Sequence, residues 1–394
     1  MIETSVQPAR TIGPAAFARM VFEGRPLEPV FERLKERAQT YPDDAGARMD
    51  IATMLLMSGQ LEAGLAMQAE SLGMQRAYVR PARAPASLRL LAIVAAGDLM
   101  ANTPLDFLLE DAAIDLISLF VAPDGRLPEV PPHDVAFLAI GESEANAPLL
   151  DALAPQLARW PGPLVNGDPQ RIRALSRDRV SAGLAGSPAV YSPSVARLGR
   201  AELEGWIDGR RPPFGFPLLV RPLASHAGAG LARLDAAAEV LGYLADQPEA
   251  AFYVCPFIDY AGKDGLFRKQ RIALIGGRPF VCHLAVSEHW MVHYLSAGMA
   301  ERPERRAEEA ALMADFDEDF AVRHADAFAA LNASLRLDYA AIDCAELADG
   351  RLLLFEADTA MIVHAMDPPD LFAYKAAPMR KLFAAFEAML RAAA

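Results

Sequence analysis

The sequence predicts an α/β protein that is preceded by a small all-α region. Three observations lead to this prediction. Residues 28–76 carry apolar side chains at helical spacing, strand-like and helix-like segments alternate from residue 88 onward, and two short apolar runs near the C-terminus flank an Ala-Asp-Gly turn. With 394 residues and 53% hydrophobic content, the chain is long enough for about two to four domains with sizeable cores.

The first expected domain, residues 1–80, consists of helices separated by short breaks. Pro29–Thr40, Ala45–Met57 and Leu61–Leu72 each show a helical apolar pattern. The sequence across Ala52–Ala63 resembles a tetratricopeptide helix pair, but only about one and a half repeats are visible, and stable arrays usually need about three. We therefore expect a cap that docks a protein partner or supports self-association, rather than a full peptide-binding solenoid.

Three further domains are expected, over residues 88–170, 171–258 and 259–394. The stretch Tyr78–Ser87, with two prolines, reads as the linker that precedes them. Leu88–Ala95 is a continuous apolar run, which is typical of a buried parallel strand, and Ala147–Leu157 has the pattern of a helix. The charged segment Glu301–Asp319 is expected to be a lid or a surface loop.

Composition excludes several classes of function. The formal net charge of −13 argues against a protein that coats nucleic acid, because phosphate binding needs an excess of Lys and Arg. No apolar run approaches the length of a membrane span, and the N-terminus lacks the pattern of a signal peptide. Cys255, Cys282 and Cys344 lie in or beside apolar runs without metal-site spacing, as expected in a reducing compartment. The predicted location is the cytoplasm.

The hairpin near the C-terminus carries the most informative acidic residues. Asp343 ends its first apolar run and Glu356 its second, so pairing across the turn would bring both carboxylates to one end of the sheet. Asp358 follows Glu356 by two residues, the spacing that keeps side chains on one face of a strand. Three such groups repel one another unless a cation lies among them, and oxygen ligands suit Mg²⁺. The alternative is an ordinary solvated hairpin.

A glycine-containing loop, Pro222–Gly230, joins two predicted strands. Gly228 and Gly230 permit a positive φ and a close approach of the backbone to a phosphate. The loop matches neither a dinucleotide fingerprint nor a P-loop, and a plain hairpin turn would have the same composition. His226 in this loop could contact phosphate or cap the turn.

Taken in order, several motifs resemble the ATP-grasp superfamily, and most closely its RimK-like branch. The resemblance covers about residues 88–365 and implies the α+β ATP-grasp architecture. The order and spacing of these motifs are more specific than any one of them. The segments that carry it are Ser176–Arg179, Pro217–Pro222, Tyr253–Asp259, Arg268–Arg271 and Phe355–Asp358.

The resemblance implies ATP and Mg²⁺ as cofactors. It assigns Mg²⁺ to Asp343, Glu356 and Asp358. Family members usually have Lys where this chain has Arg179 and Arg221, and commonly Asn in place of Asp358. The residues assigned to the nucleotide are Arg179, Arg221, Ser225, His226, Gly228, Gly230, Pro256, Phe257, Ile258 and Asp259.

The implied reaction is phosphoryl transfer to a small-molecule or peptide carboxylate, followed by attack of an amine or related nucleophile on the acylphosphate. Arg271 and Lys269, two apart on one strand, are the candidates that stabilise the acylphosphate. A further arginine that the family often has is absent here. His289 and His293 stand nearby in sequence and would share one face of a helix. They could bind zinc, contact substrate or accept a proton, or pack in the core.

Three functions therefore remain open at the sequence level. The leading one is an ATP-dependent carboxylate–amine ligase that releases ADP and phosphate. A nucleotide-binding partner protein with little turnover would account for the missing arginine and the two changes from Lys to Arg. An ATP-grasp kinase would stop after phosphoryl transfer.

Overall fold

The computed structural model describes residues 7–225 and 228–394. The chain divides into two compact units. The first contains the residues up to 173 together with 337–340 and 358–394, and the second contains 174–336 and 341–357. Each unit combines helices with β-structure, and residues 14–74 form helices. The predicted α/β class with a small all-α region at its start is therefore confirmed.

The strands are numbered in chain order. They are β1 (Ala9–Arg10), β2 (Ala77–Arg80), β3 (Leu88–Val94), β4 (Ile114–Phe120), β5 (Val135–Leu138), β6 (Leu164–Val165), β7 (Val190–Tyr191), β8 (Ala196–Gly199), β9 (Leu218–Pro222), β10 (Ala232–Leu234), β11 (Ala251–Pro256), β12 (Phe267–Ile275), β13 (Arg278–Ser287), β14 (Tyr339–Glu346) and β15 (Leu352–Asp358).

The helices are numbered in the same way. They are α1 (Pro14–Phe22), α2 (Glu28–Thr40), α3 (Ala45–Met57), α4 (Leu61–Met74), α5 (Leu105–Leu108), α6 (Ala147–Leu157), α7 (Pro169–Arg173), α8 (Arg177–Gly183), α9 (Arg200–Glu204), α10 (Val240–Ala245), α11 (Pro303–Asp315), α12 (Phe320–Arg323), α13 (Ala325–Leu335) and α14 (Ala376–Ala393). Among the described residues, no helix is long and apolar enough to cross a membrane.

The first unit is built on a six-stranded sheet with the order β1-β2-β4-β3-β5-β6. Strand β3 runs parallel to both β4 and β5, and its apolar residues from Leu90 onward leave Leu90, Leu91 and Ile93 fully buried. Helix α6 places Leu150, Leu153 and Leu157 in the same hydrophobic cluster as Ile93. Burying a leucine of this kind contributes about 2 kcal/mol, so this apolar layer is the main stabilising feature of the unit.

The helices of residues 14–74 have a hydrophobic cluster of their own. Phe17 of α1, Val30 and Leu34 of α2, and Ile51 and Met54 of α3 pack together. The predicted helices end within a few residues of the observed ones, because each break contains a turn or capping residue. Asp44, for example, accepts a hydrogen bond from Ala47 N at 2.9 Å and caps α3. The tetratricopeptide-like interpretation of these helices stays a prediction.

The second unit contains two sheets. The four-stranded sheet has the order β10-β9-β11-β8, and the five-stranded sheet has the order β13-β12-β14-β15-β7. Strands β12 and β13 form a hairpin that turns at Gly276 and Gly277, whose φ values are 54° and 76°. The acidic hairpin is also present, since β14 and β15 are neighbours and Gly350 adopts φ 86° in the turn between them.

Two local predictions were wrong. The linker predicted over Tyr78–Ser87 begins inside strand β2, which pairs with β4. The lid or loop expected over Glu301–Asp319 is largely helix α11, which begins with Pro303 at a position that tolerates proline.

Candidate functional site

Two carboxylates on neighbouring strands form the centre of the candidate site in the second unit. Asp343 lies on β14 and Glu356 on β15. The Asp343 side chain is only 2% exposed, whereas that of Glu356 is 28% exposed. Asp358 ends β15 within the segment that belongs to the first unit, where its Oδ1 accepts a hydrogen bond from Ala360 N at 2.9 Å.

Asp343 is held by the two basic residues that the sequence singled out on β12. Lys269 Nζ donates to its Oδ2 at 2.9 Å, and Arg271 donates to both oxygens at 2.8 and 3.1 Å. Burial would raise the pKa of Asp343, but Arg271 and Lys269 together hold it well below the ordinary value. The same pairing raises the pKa of Arg271 despite its burial. Lys269 and Arg271 are therefore held side by side against the same carboxylate.

Glu356 is paired with Arg177, a residue that sequence reasoning passed over. The Arg177 guanidinium donates to Glu356 Oε2 and to the backbone oxygen of Phe355, the latter at 3.3 Å. Burial opposes ionisation, yet the charge of Arg177 lowers the pKa of Glu356. Arg177 is the first residue of α8, in the Ser176–Arg179 motif from which we had selected Arg179. Residues two apart on a helix point to different sides, and Arg179 is exposed.

Arg221 lies partly buried on β9, and its hydrogen-bond acceptors are uncharged. Its Nε donates to Ser225 Oγ at 3.1 Å, and its Nη2 donates to the Ser225 backbone oxygen. Among the described residues, no carboxylate lies within ion-pair distance of this guanidinium. Burial, followed by the nearby charge of Arg177, lowers the pKa of Arg221 to about 10. A partly buried cation whose hydrogen-bond partners, among the residues that the structure describes, are neutral is the arrangement expected where an anionic ligand binds.

The glycine loop after Arg221 has the backbone that its sequence predicted. Gly228 and Gly230 have φ values of 78° and 64°. A side chain at Gly230 would also place its Cβ 2.7 Å from Pro222 Cδ, so glycine is required there on two grounds. Tyr243 Oη donates to Gly230 O at 2.8 Å and fixes the end of the loop. His226 lies outside the described residues.

The segment assigned to adenine and ribose follows β11. The strand ends at Pro256, and the next residue, Phe257, donates its N–H to Pro217 O at 2.9 Å. Ile258 therefore lies beyond the strand, and Asp259 Oδ1 accepts a hydrogen bond from Ala261 N at 3.0 Å. The structure places these residues next to one another, but their roles toward a nucleotide stay predictions.

The two histidines that were grouped by helical spacing do not lie on a helix. Residues 288–291 form bends, and only Tyr294–Ser296 is a short 3-10 turn, so the shared-face argument for His289 and His293 was wrong. His289 is exposed. Burial, together with the charges of Lys269 and Arg271, lowers the pKa of His293.

The candidate site contains more cationic side chains than carboxylates. The pKa of Glu356 responds to three surrounding cations, Arg177, Arg221 and Lys269, and to the neighbouring Asp343. With Arg271, four cationic side chains surround two carboxylates, so the cluster has an excess of positive charge. Within residues 7–225 and 228–394, no group of three or more His, Cys, Asp or Glu side chains is arranged to hold a metal ion. In this conformation Asp343 and Glu356 both form ion pairs with basic side chains.

No protein-family model matches the sequence, and no curated protein matches it. Solved structures with similar folds include a D-alanine–D-alanine ligase from Bacillus anthracis complexed with ATP, which is 14% identical with a TM-score of 0.44. The match covers 78% of this chain and 98% of that one.

Two other solved structures give similar values. A D-Ala:D-Ser ligase from Enterococcus faecalis is 12% identical with a TM-score of 0.47, and the match covers 77% of this chain and 99% of that one. A RimK domain ATP-grasp protein from Sphaerobacter thermophilus is 14% identical with a TM-score of 0.41, covering 75% and 98%. At these identities and TM-scores the superpositions carry no argument about residues or reaction. The site is therefore interpreted from its own side chains.

Proposed function

We propose that this chain is an ATP-dependent ligase of the ATP-grasp type that joins a carboxylate to an amine through an acylphosphate. The observation that carries the proposal is the excess of positive charge around Glu356 and Asp343, above all the buried Arg221 without a carboxylate partner. A triphosphate is the kind of ligand that balances such a cluster. The order of the motifs along the sequence supports the same function.

The reaction would proceed in two steps. An oxygen of the substrate carboxylate attacks the γ-phosphorus of ATP, the bond to the bridging oxygen breaks, and ADP leaves. The amine nitrogen then attacks the acyl carbon, the bond to the phosphate oxygen breaks, and phosphate leaves while the nitrogen loses a proton. Catalysis of both steps consists mainly of positioning and charge stabilisation.

The residues of the cluster suit these tasks. Arg177 and Arg221 would bind the phosphate groups. Lys269 has three N–H donors, and its bond to Asp343 Oδ2 orients it without using them all, so it can stabilise the acylphosphate beside Arg271. His293, neutral because its pKa is lowered, can accept the proton of the amine.

Magnesium is the metal that we propose for the site. Hard carboxylate oxygens fit this ion, and the candidates are Asp343 and Glu356, with Asp358 two residues further along the same strand. When bound, Mg²⁺ would offset negative charge on the phosphates. Because both carboxylates of the second unit are already neutralised by cations, metal binding requires an exchange of partners.

The function is tested by nucleotide turnover with Mg-ATP and pooled amino acids or peptides. We expect ADP and phosphate to appear only with a substrate pool, together with a ligated product. AMP and pyrophosphate would contradict the acylphosphate route, and a phosphorylated product without ligation would indicate a kinase. Binding of ATP without turnover in any pool would favour the nucleotide-binding partner protein, for which the changes at Arg179 and Arg221 are the supporting observation.

Arg221→Gln should lower the affinity for ATP. Hydrogen bonds to charged groups contribute about 1.5–3 kcal/mol, which corresponds to roughly 10–100-fold in the dissociation constant. Arg221→Lys, which keeps the charge, should retain most of the affinity. Isothermal titration calorimetry measures both. An unchanged affinity in Arg221→Gln would remove Arg221 from the phosphate site, and thermal unfolding checks that both variants fold.

Other parts of the proposal rest on sequence. We propose the division into residues 1–80, 88–170, 171–258 and 259–394 as functional regions, with a tetratricopeptide-like region at the start that binds a protein partner or a second copy. We also propose the cytoplasm as the location, where ATP is abundant.

A further inference from the structure

Arg177 interacts with a carboxylate, Glu356, and with a second arginine, Arg221. Its guanidinium pairs with Glu356 and donates to Phe355 O at 3.3 Å. The two paired side chains are 22% and 28% exposed, so a ligand can reach this contact. The ion pair of Asp343 differs, since that carboxylate is only 2% exposed.

The charge of Arg177 also acts on Arg221, and the charges of both arginines act on the thiol of Cys255 on the neighbouring strand β11. The two guanidinium groups repel each other, and the single carboxylate of Glu356 acts on both of them. An anion with several charges between the two arginines would therefore attract Arg177 more strongly than the single carboxylate does.

We propose that Arg177 is an exchanging latch, which pairs with Glu356 in the free protein and with the phosphates of ATP in the complex. Its transfer to the phosphates releases the oxygens of Glu356 for the divalent cation. No covalent bond changes in this step. The inference rests on the proposed function, because it requires ATP at the positive cluster and a cation at Glu356.

An Arg177 that exchanges partners couples the affinity for ATP to the affinity for the metal. An Arg177 that only binds phosphate would not do so. In the free protein Arg177 competes with the metal for Glu356, so the metal alone binds weakly. Binding of ATP removes the competitor, and by linkage the metal favours ATP to the same degree. Removing Arg177 should therefore change the two separate affinities in opposite directions.

The experiment measures these affinities separately in Arg177→Gln. Binding of ATP is measured by calorimetry in EDTA, and binding of Mn²⁺ is measured by electron paramagnetic resonance in the absence of nucleotide. Only the Mn²⁺ site that Glu356→Gln removes is counted. We expect ATP to bind about fivefold or more weakly and Mn²⁺ to bind about fivefold or more tightly, which is the range of ordinary coupling between sites.

Arg351→Gln is the matched control, since Arg351 pairs with the exposed Asp349 in the turn of the acidic hairpin. It should leave both affinities unchanged. If Arg177→Gln weakens only ATP binding, Arg177 is a fixed phosphate ligand and the latch is overturned. Equal loss of both affinities, or no change in either, also overturns it. A wild-type protein that binds no ATP under either condition would overturn the proposed function and, with it, the latch.

Discussion

Glu356→Gln should reduce turnover by roughly a thousandfold, because it removes an anionic ligand of the divalent cation that would stabilise the reacting phosphates. Glutamine has the same shape as glutamate and can still accept a hydrogen bond from Arg177. It cannot, however, supply an anionic oxygen to a divalent cation. The measurement is the steady-state rate of ADP release with the substrate pool that the turnover assay identifies.

The fold should survive this change. The Glu356 side chain is 28% exposed, and an ion pair with that access to solvent contributes only about 1 kcal/mol or less. Thermal unfolding of Glu356→Gln should therefore resemble that of the wild type. ATP binding in EDTA should also persist, since Arg177 and Arg221 remain. A rate close to that of the wild type would show that Glu356 is not a metal ligand.

Sequence reasoning found the strands of the site because they carry strong local signals. The apolar runs of β14 and β15 flank a turn that contains Gly350, and the Gly276-Gly277 pair supplies the positive φ values that a tight hairpin turn needs. The spacing of Lys269 and Arg271 placed both on one face of β12, and in the structure both donate to Asp343.

The role of Arg177 could not be predicted in this way. Its partner, Glu356, is 179 residues away in sequence, and the contact depends on how α8 lies against the end of β15. Four residues, Ser176–Arg179, contain two arginines, and nothing local distinguishes them. The difference is one of tertiary structure, since Arg177 is half-buried at the start of the helix whereas Arg179 is exposed.

Helix α11 was missed for a different physical reason. Its buried positions are Arg305, Glu309 and Met313, so the face turned inward at a spacing of four residues is mostly charged. An apolar stripe, the usual signal of a packed helix, is therefore lacking. Glu309 accepts hydrogen bonds from Leu284 N and Tyr294 Oη, both at 3.0 Å. These contacts anchor the segment that contains His293.

Asp343→Asn should lower the free energy of unfolding by about 3–5 kcal/mol, because it leaves buried charges without their partner. Lys269 and Arg271 are 16% and 20% exposed, and both donate to this carboxylate. Loss of turnover in this variant therefore has two causes, loss of a metal ligand and loss of stability. Chemical denaturation measures the second cause, and Asp349→Asn in the exposed turn of the same hairpin is the control that should change stability little.

The pH dependence of the stability difference between the wild type and Asp343→Asn identifies the source of that difference. The pKa of Asp343 is lowered in the folded protein, so its contribution is complete wherever the unfolded chain is also ionised, above the ordinary value of about 3.9. As the pH falls below about 4, the unfolded state takes up the proton first and the stabilisation is lost progressively. The stability difference between wild type and Asp343→Asn should therefore be constant above about pH 5 and shrink in acid. A difference that grows in acid would mean that Asp343 is neutral in the folded protein, and that Lys269 and Arg271 are not held by its charge.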